Sequence, residues 1–351
     1  MAIPSSVHPR PGNHELESRL LGLIDSFRDR RIAVLGDLIA DEFIYGRVAR
    51  VSREAPVLIL DYDQTVVCPG GAGNAAANVA SLGGSARLVG LLGYEEIDRR
   101  LIKAFPKGVD RSGVVRTRGY RTPVKTRILA GGLHSARQQV VRIDREASFR
   151  EGPMDPDVER ASRAALAGCD AVLVSDYGSG LVTPRFVSGL KKRLSTRKRR
   201  HPIPILVDSR YGLLKYRGLT ACTPNQSEAE EMLNVSIGDD TRRLEKAGRE
   251  ILRRTQSSAV VLTRGSRGMS VFESGMRTTH IPIFGSDEVA DVTGAGDTVI
   301  AAMTLALAAG ASFYEASRLA TYAGGTVVMK RGTATTSGDE LRHAVVTDLA
   351  D

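Results

Sequence analysis

The sequence predicts an α/β fold: a mostly parallel β-sheet covered by helices on both faces, with one small excursion of exposed strands. Three observations carry this expectation. From about residue 31 to 340, short apolar runs alternate with segments of helical periodicity, the order that builds βαβ units. Those runs are rich in β-branched residues and lack strict apolar–polar alternation, as strands buried on both sides do. Between about 43 and 67 the texture changes to short, partly polar strands that suit a solvent-facing sheet instead.

Residues 1 to about 30 read as a loose tail followed by an amphipathic helix, with Leu16, Leu20, Leu23, Ile24 and Phe27 at helical spacing. Arg31 to Gly36 then forms a short buried strand ending at a turn. In the excursion, Tyr45, Val48, Val51, Val57, Ile59 and Tyr62 mark exposed strands, and Pro56 argues for an edge. Pro69-Gly-Gly71 breaks that pattern before a tightly packed, alanine-rich helix from Ala72 to Leu82. Further strands are expected at 86–92, 124–130, 138–143, 171–175, 203–208, 221–223, 259–263 and 269–273. Helices are expected at 156–167, 184–194, 227–233, 240–253, 295–309 and 314–330. No Pro- or Ser-rich linker and no repeat interrupts residues 31–340. One domain over 31–340 is therefore expected, with tails at 1–30 and 341–351, the last ten or so residues fraying.

Composition narrows the function classes. With 351 residues, 42% hydrophobic and 25% charged, neither disorder nor a collagen-like chain is expected. The longest apolar run, Val299 to Ala309, is too short to span a bilayer. The first residues carry no apolar signal segment. The cysteines Cys68, Cys169 and Cys222 form no CxxC pair, so a reducing, cytoplasmic setting is expected. A net charge of +9 suits phosphorylated small molecules as well as nucleic acid. The densest basic run, Lys191 to Arg200, has seven basic residues in ten, without interleaved aromatics or a zinc-finger or RNP pattern. It reads as a solvated helix end, where cations suit the helix dipole. His134, His201 and His280 show no metal-ligand spacing, and no Gly-Lys dipeptide, hence no Walker A loop, occurs. The first strand ends without the GxGxxG fingerprint, which argues against a dinucleotide-binding dehydrogenase.

The most informative segment is Asp291-Val-Thr-Gly-Ala-Gly-Asp-Thr298, followed by an apolar helix. Gly294, Ala295 and Gly296 allow a sharp turn into a helix whose first amides have no partners, which makes an anion site without lysine. Asp297, in that first turn, is placed to accept the proton of an attacking alcohol while the amides stabilise a transferring phosphoryl group. A Gly-rich turn with Asp297 as a cap is the alternative reading of the same residues.

Together with Pro69-Gly-Gly-Ala-Gly-Asn-Ala-Ala-Ala-Asn-Val-Ala-Ser-Leu-Gly83, this segment resembles the paired signatures of the ribokinase-like (PfkB) carbohydrate kinases. Within that superfamily the chain resembles the D-glycero-D-manno-heptose 7-phosphate kinases. Gly36-Asp37, Asp41, Ser52-Arg-Glu-Ala-Pro56, Arg137-Gln-Gln-Val-Val-Arg-Ile-Asp144 and Ser175-Asp-Tyr-Gly178 carry that likeness, with Thr223-Pro-Asn-Gln-Ser-Glu228 and Thr263-Arg-Gly265. The resemblance implies a ribokinase-like sheet, the excursion serving as a β-sheet lid over the sugar that often dimerises. It implies ATP and Mg²⁺ as cofactors, with a monovalent cation as a further expectation. Asp37, Asp41, Gly70, Gly71 and Asn74 would meet the sugar, joined by Arg142 and Asp144. Asn225 and Glu228 would organise Mg²⁺ and the ATP phosphates, and Thr263, Arg264 and Gly265 would contact phosphate or ribose. Taken one at a time, these residues have simpler readings: Asp37 in a turn, Asn74 as a helix cap, Arg142 and Asp144 as a surface pair.

Two departures bear on the acceptor. These heptose kinases usually read Gly-Lys-Gly and Asp-Pro-Lys where this chain has Gly178-Ser-Gly180 and Asp208-Ser-Arg210. Arg210 is then a candidate for holding the substrate phosphate, with Arg137, Lys125 and Arg127 as further candidates. No HxGH motif occurs, so a separate nucleotidyltransferase is expected to act on the product. The expected function is phosphorylation of the anomeric hydroxyl of heptose 7-phosphate. A kinase for another sugar or sugar phosphate, and a non-catalytic sugar- or nucleic-acid-binding protein, are the alternatives.

Overall fold

The computed structural model describes residues 12–131, 137–147, 155–195, 202–285 and 291–350. Among the described residues, nine strands form the central sheet. Across it they run β13 (Thr279–Ile281), β12 (Met269–Glu273), β11 (Ala259–Thr263), β10 (Ala221–Cys222), β9 (Ile205–Ser209), β8 (Ala171–Asp176), β1 (Arg31–Gly36), β4 (Ser85–Leu92) and β5 (Val109–Arg116). Pairings from β11 through β5 are parallel, and β12 and β13 add an antiparallel edge. The mostly parallel, two-faced sheet expected from the sequence is therefore present.

Successive side chains of a strand point to opposite faces, and each face here has its own core. Ile32 and Val34 of β1 join one apolar cluster with α1 (Asn13–Asp25), α2 (Ala72–Ser81), α3 (Glu96–Ala104), α8 (Ala295–Ala308), α9 (Phe313–Val328) and α10 (Gly338–Leu349). Ala33 and Leu35 join the other, with α4 (Pro156–Leu166), α5 (Pro184–Ser195), α6 (Gln226–Leu233) and α7 (Thr241–Thr255). Each fully buried Leu or Ile in these layers stabilises the fold by about 1.5–3 kcal/mol.

A second, four-stranded sheet has the order β3 (Leu58–Gly71), β2 (Leu38–Val51), β6 (Val124–Gly131) and β7 (Gln138–Arg145). It is larger than the excursion at 43–67. The runs at 124–130 and 138–143, which the sequence places in the alternating series, leave the main sheet and pair with β2 instead. The physical reason is burial: every residue of β7 is exposed, so it lines an open sheet rather than a covered one. Pro56 lies in the turn before β3, not within a strand.

Four elements have no counterpart in the sequence expectation: α3, β5, β13 and α10. α3 is short and polar, and its start is held by a reciprocal cap between Glu95 and Asp98. α10 occupies residues expected to fray. Leu341, Ala344, Val345 and Leu349 are buried in it, and it packs on α1, where Leu16, Leu20, Leu23 and Ile24 are buried. Both end segments thus share the core of residues 31–340.

Candidate active site

Open parallel sheets bind ligands beyond the carboxyl ends of their strands, where neighbouring connections diverge. Here β1 lies between β4 and β8, and Asp37, after β1, donates its amide to Ser175 O of β8 at 3.0 Å. The remaining site residues gather around this point.

Helix α8 starts at Gly294, whose φ of +77° is the left-handed conformation a glycine adopts without strain. A Cβ there would lie 2.4 Å from Asn74 Nδ2, so backbone and amide touch directly. Ala295 N donates to Val292 O at 3.2 Å, and the amides of Gly296 and Asp297 fall in the first turn, which has no helical acceptors. The Asp297 carboxylate, 3% exposed, accepts from Asn74 Nδ2 at 2.9 Å and from the Tyr177 hydroxyl at 3.2 Å. Asn74 is itself held by Asn78, whose Nδ2 donates to Asn74 Oδ1 at 3.1 Å. Thr298 Oγ1 in turn donates to Asn78 Oδ1 at 3.0 Å. Burial raises the Asp297 pKa to about 7; the Asn74 bond opposes that shift and the Asp41 charge adds to it. A carboxylate that exchanges protons near neutrality is suited to general base work.

Asp37 is fully buried. Its Oδ2 accepts from Tyr177 N at 2.8 Å and Ser179 N at 3.0 Å, while Oδ1 has no partner among the described residues. Burial raises its pKa to about 6. An orphaned buried oxygen is what a substrate hydroxyl would satisfy. Asp41 differs: Arg127 Nη1 donates to its Oδ1 at 2.6 Å and Thr333 Oγ1 to its Oδ2 at 3.2 Å. Its carboxylate therefore holds Arg127 and Thr333 within the protein. At Gly70 a Cβ would sit 2.5 Å from Asp41 Oδ2, so this strand approach requires glycine. Gly71 precedes α2, where Ala72 N donates to Asp37 O at 3.0 Å. The neighbouring Gly332 N donates to Asp291 Oδ2 at 3.0 Å, and Thr293 N to Asp291 Oδ1 at 2.9 Å. One loop, 332–333, thus ties β2 to the turn before α8.

On the other side, Asn225 and Glu228 form a reciprocal cap at the start of α6: Glu228 N donates to Asn225 Oδ1 at 2.8 Å, and Asn225 N to Glu228 Oε2 at 2.9 Å. Asn225 bridges Thr263. Asn225 and Thr263, with Gln226, Ser227, Arg264, Gly265 and Arg267, line an open cleft of about 330 Å³. Arg264 Nε is buried without a partner among the described residues, which suits an arriving acceptor such as phosphate. Asp208, at the end of β9, accepts from Thr223 Oγ1 at 3.4 Å. Burial and the charges of Glu228 and Asp297 push its pKa well up. A Cβ at Gly296 would lie 3.9 Å from Asp208 Oδ2, placing this carboxylate beside the helix start.

The structure thus brings together Asp297, Gly294, Ala295, Gly296, Asn74, Asp37, Asp41, Gly70 and Gly71, and separately Asn225, Glu228, Thr263, Arg264 and Gly265. The remaining candidates stand at the rim. Arg142 and Asp144 bind each other on β7, with Arg142 Nε 2.7 Å from Asp144 Oδ1. Arg137 binds Asp63 at 2.6 Å and lies over Tyr45. Arg210 is exposed beside Tyr211. His280 bonds Ser270 at 2.9 Å, whereas His134, His201 and the basic residues at 196–200 lie outside the described residues. Sequence reasoning missed Tyr177, Asn78 and Asp208. Asn78 was signalled by its i, i+4 relation to Asn74, which puts both on one helix face.

Residues 29–340 match the model of the pfkB family carbohydrate kinases. The bifunctional protein HldE of Geobacter sulfurreducens is 40% identical over 314 residues, 88% of this chain and 61% of that protein. Its namesake in Geobacter metallireducens is 41% identical over 322 residues, 90% of this chain and 62% of that protein. The chain thus spans about three fifths of the length of these relatives. Among solved structures, phosphofructokinase-2 from Escherichia coli in complex with potassium is 20% identical with a TM-score of 0.69, covering 92% of this chain and 100% of that one. Ribokinase from Arabidopsis thaliana, complexed with ribose and ATP, is 19% identical with a TM-score of 0.66, covering 92% and 99%. These two likenesses concern the fold.

Proposed function

The chain belongs to the pfkB family of carbohydrate kinases, and from that premise we propose that it phosphorylates the anomeric hydroxyl of D-glycero-D-manno-heptose 7-phosphate. The acceptor rests on the ordered motifs shared with heptose kinases and on the identity to the bifunctional HldE proteins. The observation that carries the chemistry is the buried Asp297 carboxylate, held by Asn74 and Tyr177 in the first turn of α8.

In this reading the anomeric oxygen attacks the γ-phosphorus of ATP, and the bond from that phosphorus to the β–γ bridging oxygen breaks. ADP leaves, the hydroxyl proton passes to Asp297, and heptose 1,7-bisphosphate forms. The Gly296 and Asp297 amides face the charge that gathers on the transferring group. Asp37, with its orphaned oxygen, orients the sugar. ATP lies along the cleft of Asn225, Thr263, Arg264 and Gly265. The donor set fits magnesium: Asp208 and Glu228 bring two carboxylates close enough to repel one another, hard oxygen donors whose charge a divalent cation would balance. A magnesium ion held by Glu228 through water, with Asp208 nearby, would keep most of its shell as water and phosphate. When bound, it neutralises charge on the phosphates. A monovalent cation is part of the same proposal.

The lid sheet covers the sugar side and, in the same reading, pairs with a second copy. Val51, Leu58, Tyr62 and Ile143 expose apolar surface there. No described helix is long and apolar enough to cross a membrane, and the three cysteines form no disulfide; a cytoplasmic setting is part of this proposal.

The test is ADP release by purified protein with ATP and Mg²⁺, comparing heptose 7-phosphate, free heptose and hexose phosphates. A preference for heptose 7-phosphate of tenfold or more in kcat/KM is expected. Preference for another acceptor removes the heptose assignment and favours the second reading, a kinase for a different sugar phosphate, which Ser179 and Arg210 motivate.

A further inference from the structure

Strand β8 ends in a buried carboxyl that the mechanism above leaves unused. Asp176 is 6% exposed, and both of its oxygens are occupied. Oδ1 accepts from Gly178 N at 3.0 Å. Oδ2 accepts from the Tyr216 hydroxyl at 2.6 Å and from Ser209 Oγ at 2.7 Å. Ser209 Oγ itself accepts from Gly212 N at 3.1 Å, and a Cβ at Gly212 would lie 3.3 Å from Asp176 Oδ2. Arg210 N donates to the Asp176 carbonyl at 3.0 Å. Asp176 thus pins the end of β8 to the end of β9 and to residues 212–216.

Stability does not account for this arrangement. The donors on the Asp176 carboxyl are all neutral, and Asp37 and Asp208, on which its charge acts, share its sign. A buried carboxyl so placed contributes less to stability than packed apolar side chains would. What it holds is more informative. Gly178, whose amide it receives, closes a turn at φ +79°. Within that turn Tyr177 N and Ser179 N both donate to Asp37 Oδ2, and the Tyr177 hydroxyl donates to Asp297 Oδ1. One turn of four residues therefore touches the carboxyl that orients the sugar in the reading above and the carboxyl that takes its proton. Asp37 follows β1 and Asp297 lies in α8, so this turn bridges two separate elements.

We propose that Asp176, held by Tyr216 and Ser209, is a positioning residue that fixes the 176–179 turn and, through it, the separation of Asp37 and Asp297. The inference rests on the sugar-kinase reading and adds what keeps its two carboxyls in register. Asp176 acts only through the turn. A shift of about 1 Å in a reacting group costs on the order of a hundredfold in rate, so supporting bonds beneath the site matter to turnover.

The test uses Tyr216→Phe together with Ser209→Ala, which strips Oδ2 of both hydroxyl donors while the residue 216 ring stays in its apolar core. ADP release is measured with the acceptor that wild type turns over best, varying sugar and ATP separately. The double variant is expected to lose at least tenfold in kcat and to raise the sugar KM at least threefold, with KM for ATP within twofold. Tyr216→Phe alone, which removes a single oxygen atom, is expected to show the same split with at least threefold lost in kcat, and it decides the matter where the double variant does not fold. Rates within twofold of wild type, or a loss that raises both KM values alike, overturn the proposal. If wild type prefers a sugar other than heptose 7-phosphate, the heptose reading falls alone and the comparison is made on that sugar. Crystal structures of wild type and Tyr216→Phe decide it without turnover. The Tyr177–Asp297 bond and the two amide bonds to Asp37 are expected to lengthen beyond hydrogen-bonding distance in the variant, and unchanged distances overturn the proposal.

Discussion

Asp297 shows how one residue ties stability to activity. Folding raises its pKa from the ordinary 3.8 to about 7, so burial favours the protonated acid. Its contribution to stability is full below the unfolded value and is lost as pH rises through about 7. The proposed role as proton acceptor needs the opposite form. The pH profile of kcat/KM should therefore climb with pH and level off above about 7, and a profile flat from pH 5 to 8 would remove Asp297 as the base. Asp297→Asn removes the charge and keeps one acceptor, which Asn74 uses, while its amide N–H groups face the Tyr177 oxygen. It should bind ATP normally and lose about a thousandfold in turnover. By thermal melting at pH 8 it should unfold ~2–5 °C above wild type. This residue was legible because glycines, carboxylate and apolar helix are contiguous. Tyr177 was not: its hydroxyl reaches Asp297 across 120 positions, and nothing local marks a tyrosine that bonds so far away. Asp41 was seen, but the sequence does not reveal that Arg127 and Thr333 occupy both of its oxygens.

At the scale of the element, α6 combines two tasks. Asn225 and Glu228 cap the helix reciprocally, and the same three-residue spacing sets the Glu228 carboxylate near Asp208 and Arg210. Glu228→Gln retains an acceptor for the Asn225 amide, so melting should shift by less than ~1 °C. The Mg²⁺ concentration for half-maximal rate should rise about tenfold. An unchanged Mg²⁺ titration would leave Glu228 with capping alone. Strands buried on both faces were readable as apolar runs. The lid strands were harder, because β6 carries buried Val124 and Ala130 and so resembles a core strand by composition. What decides its sheet is pairing with β2, and pairing partners leave no local trace. α3 and α10 escaped notice for a related reason: they are short, polar on one side and stabilised by caps at Glu95 and Ser337 rather than by a long apolar stripe.

At the scale of the whole molecule, the lid exposes apolar surface that the fold does not use. Val51 and Leu58 face each other across the hairpin of β2 and β3, with 59% and 48% of their surfaces exposed. A lid that dimerises would cover them. Val51→Asp with Leu58→Asp should shift the protein from dimer to monomer in analytical ultracentrifugation and raise the sugar KM several-fold. A wild-type monomer at micromolar concentration would discard the lid interface.

The bond from Asn74 to Asp297 spans 223 positions, and that from Asn78 to Thr298 spans 220. Contacts so distant along the chain close late, after the loop entropy between them has been overcome. An emerging polypeptide therefore presents Asp37 and Asn74 long before Asp297 is made, and the Asn74–Asp297 and Asn78–Thr298 pairs close only once α8 is available. In the proposed reading, a chain that has not yet docked α8 holds the sugar-side groups without the carboxylate that takes the proton, and so cannot pass a phosphoryl group to a wrong acceptor.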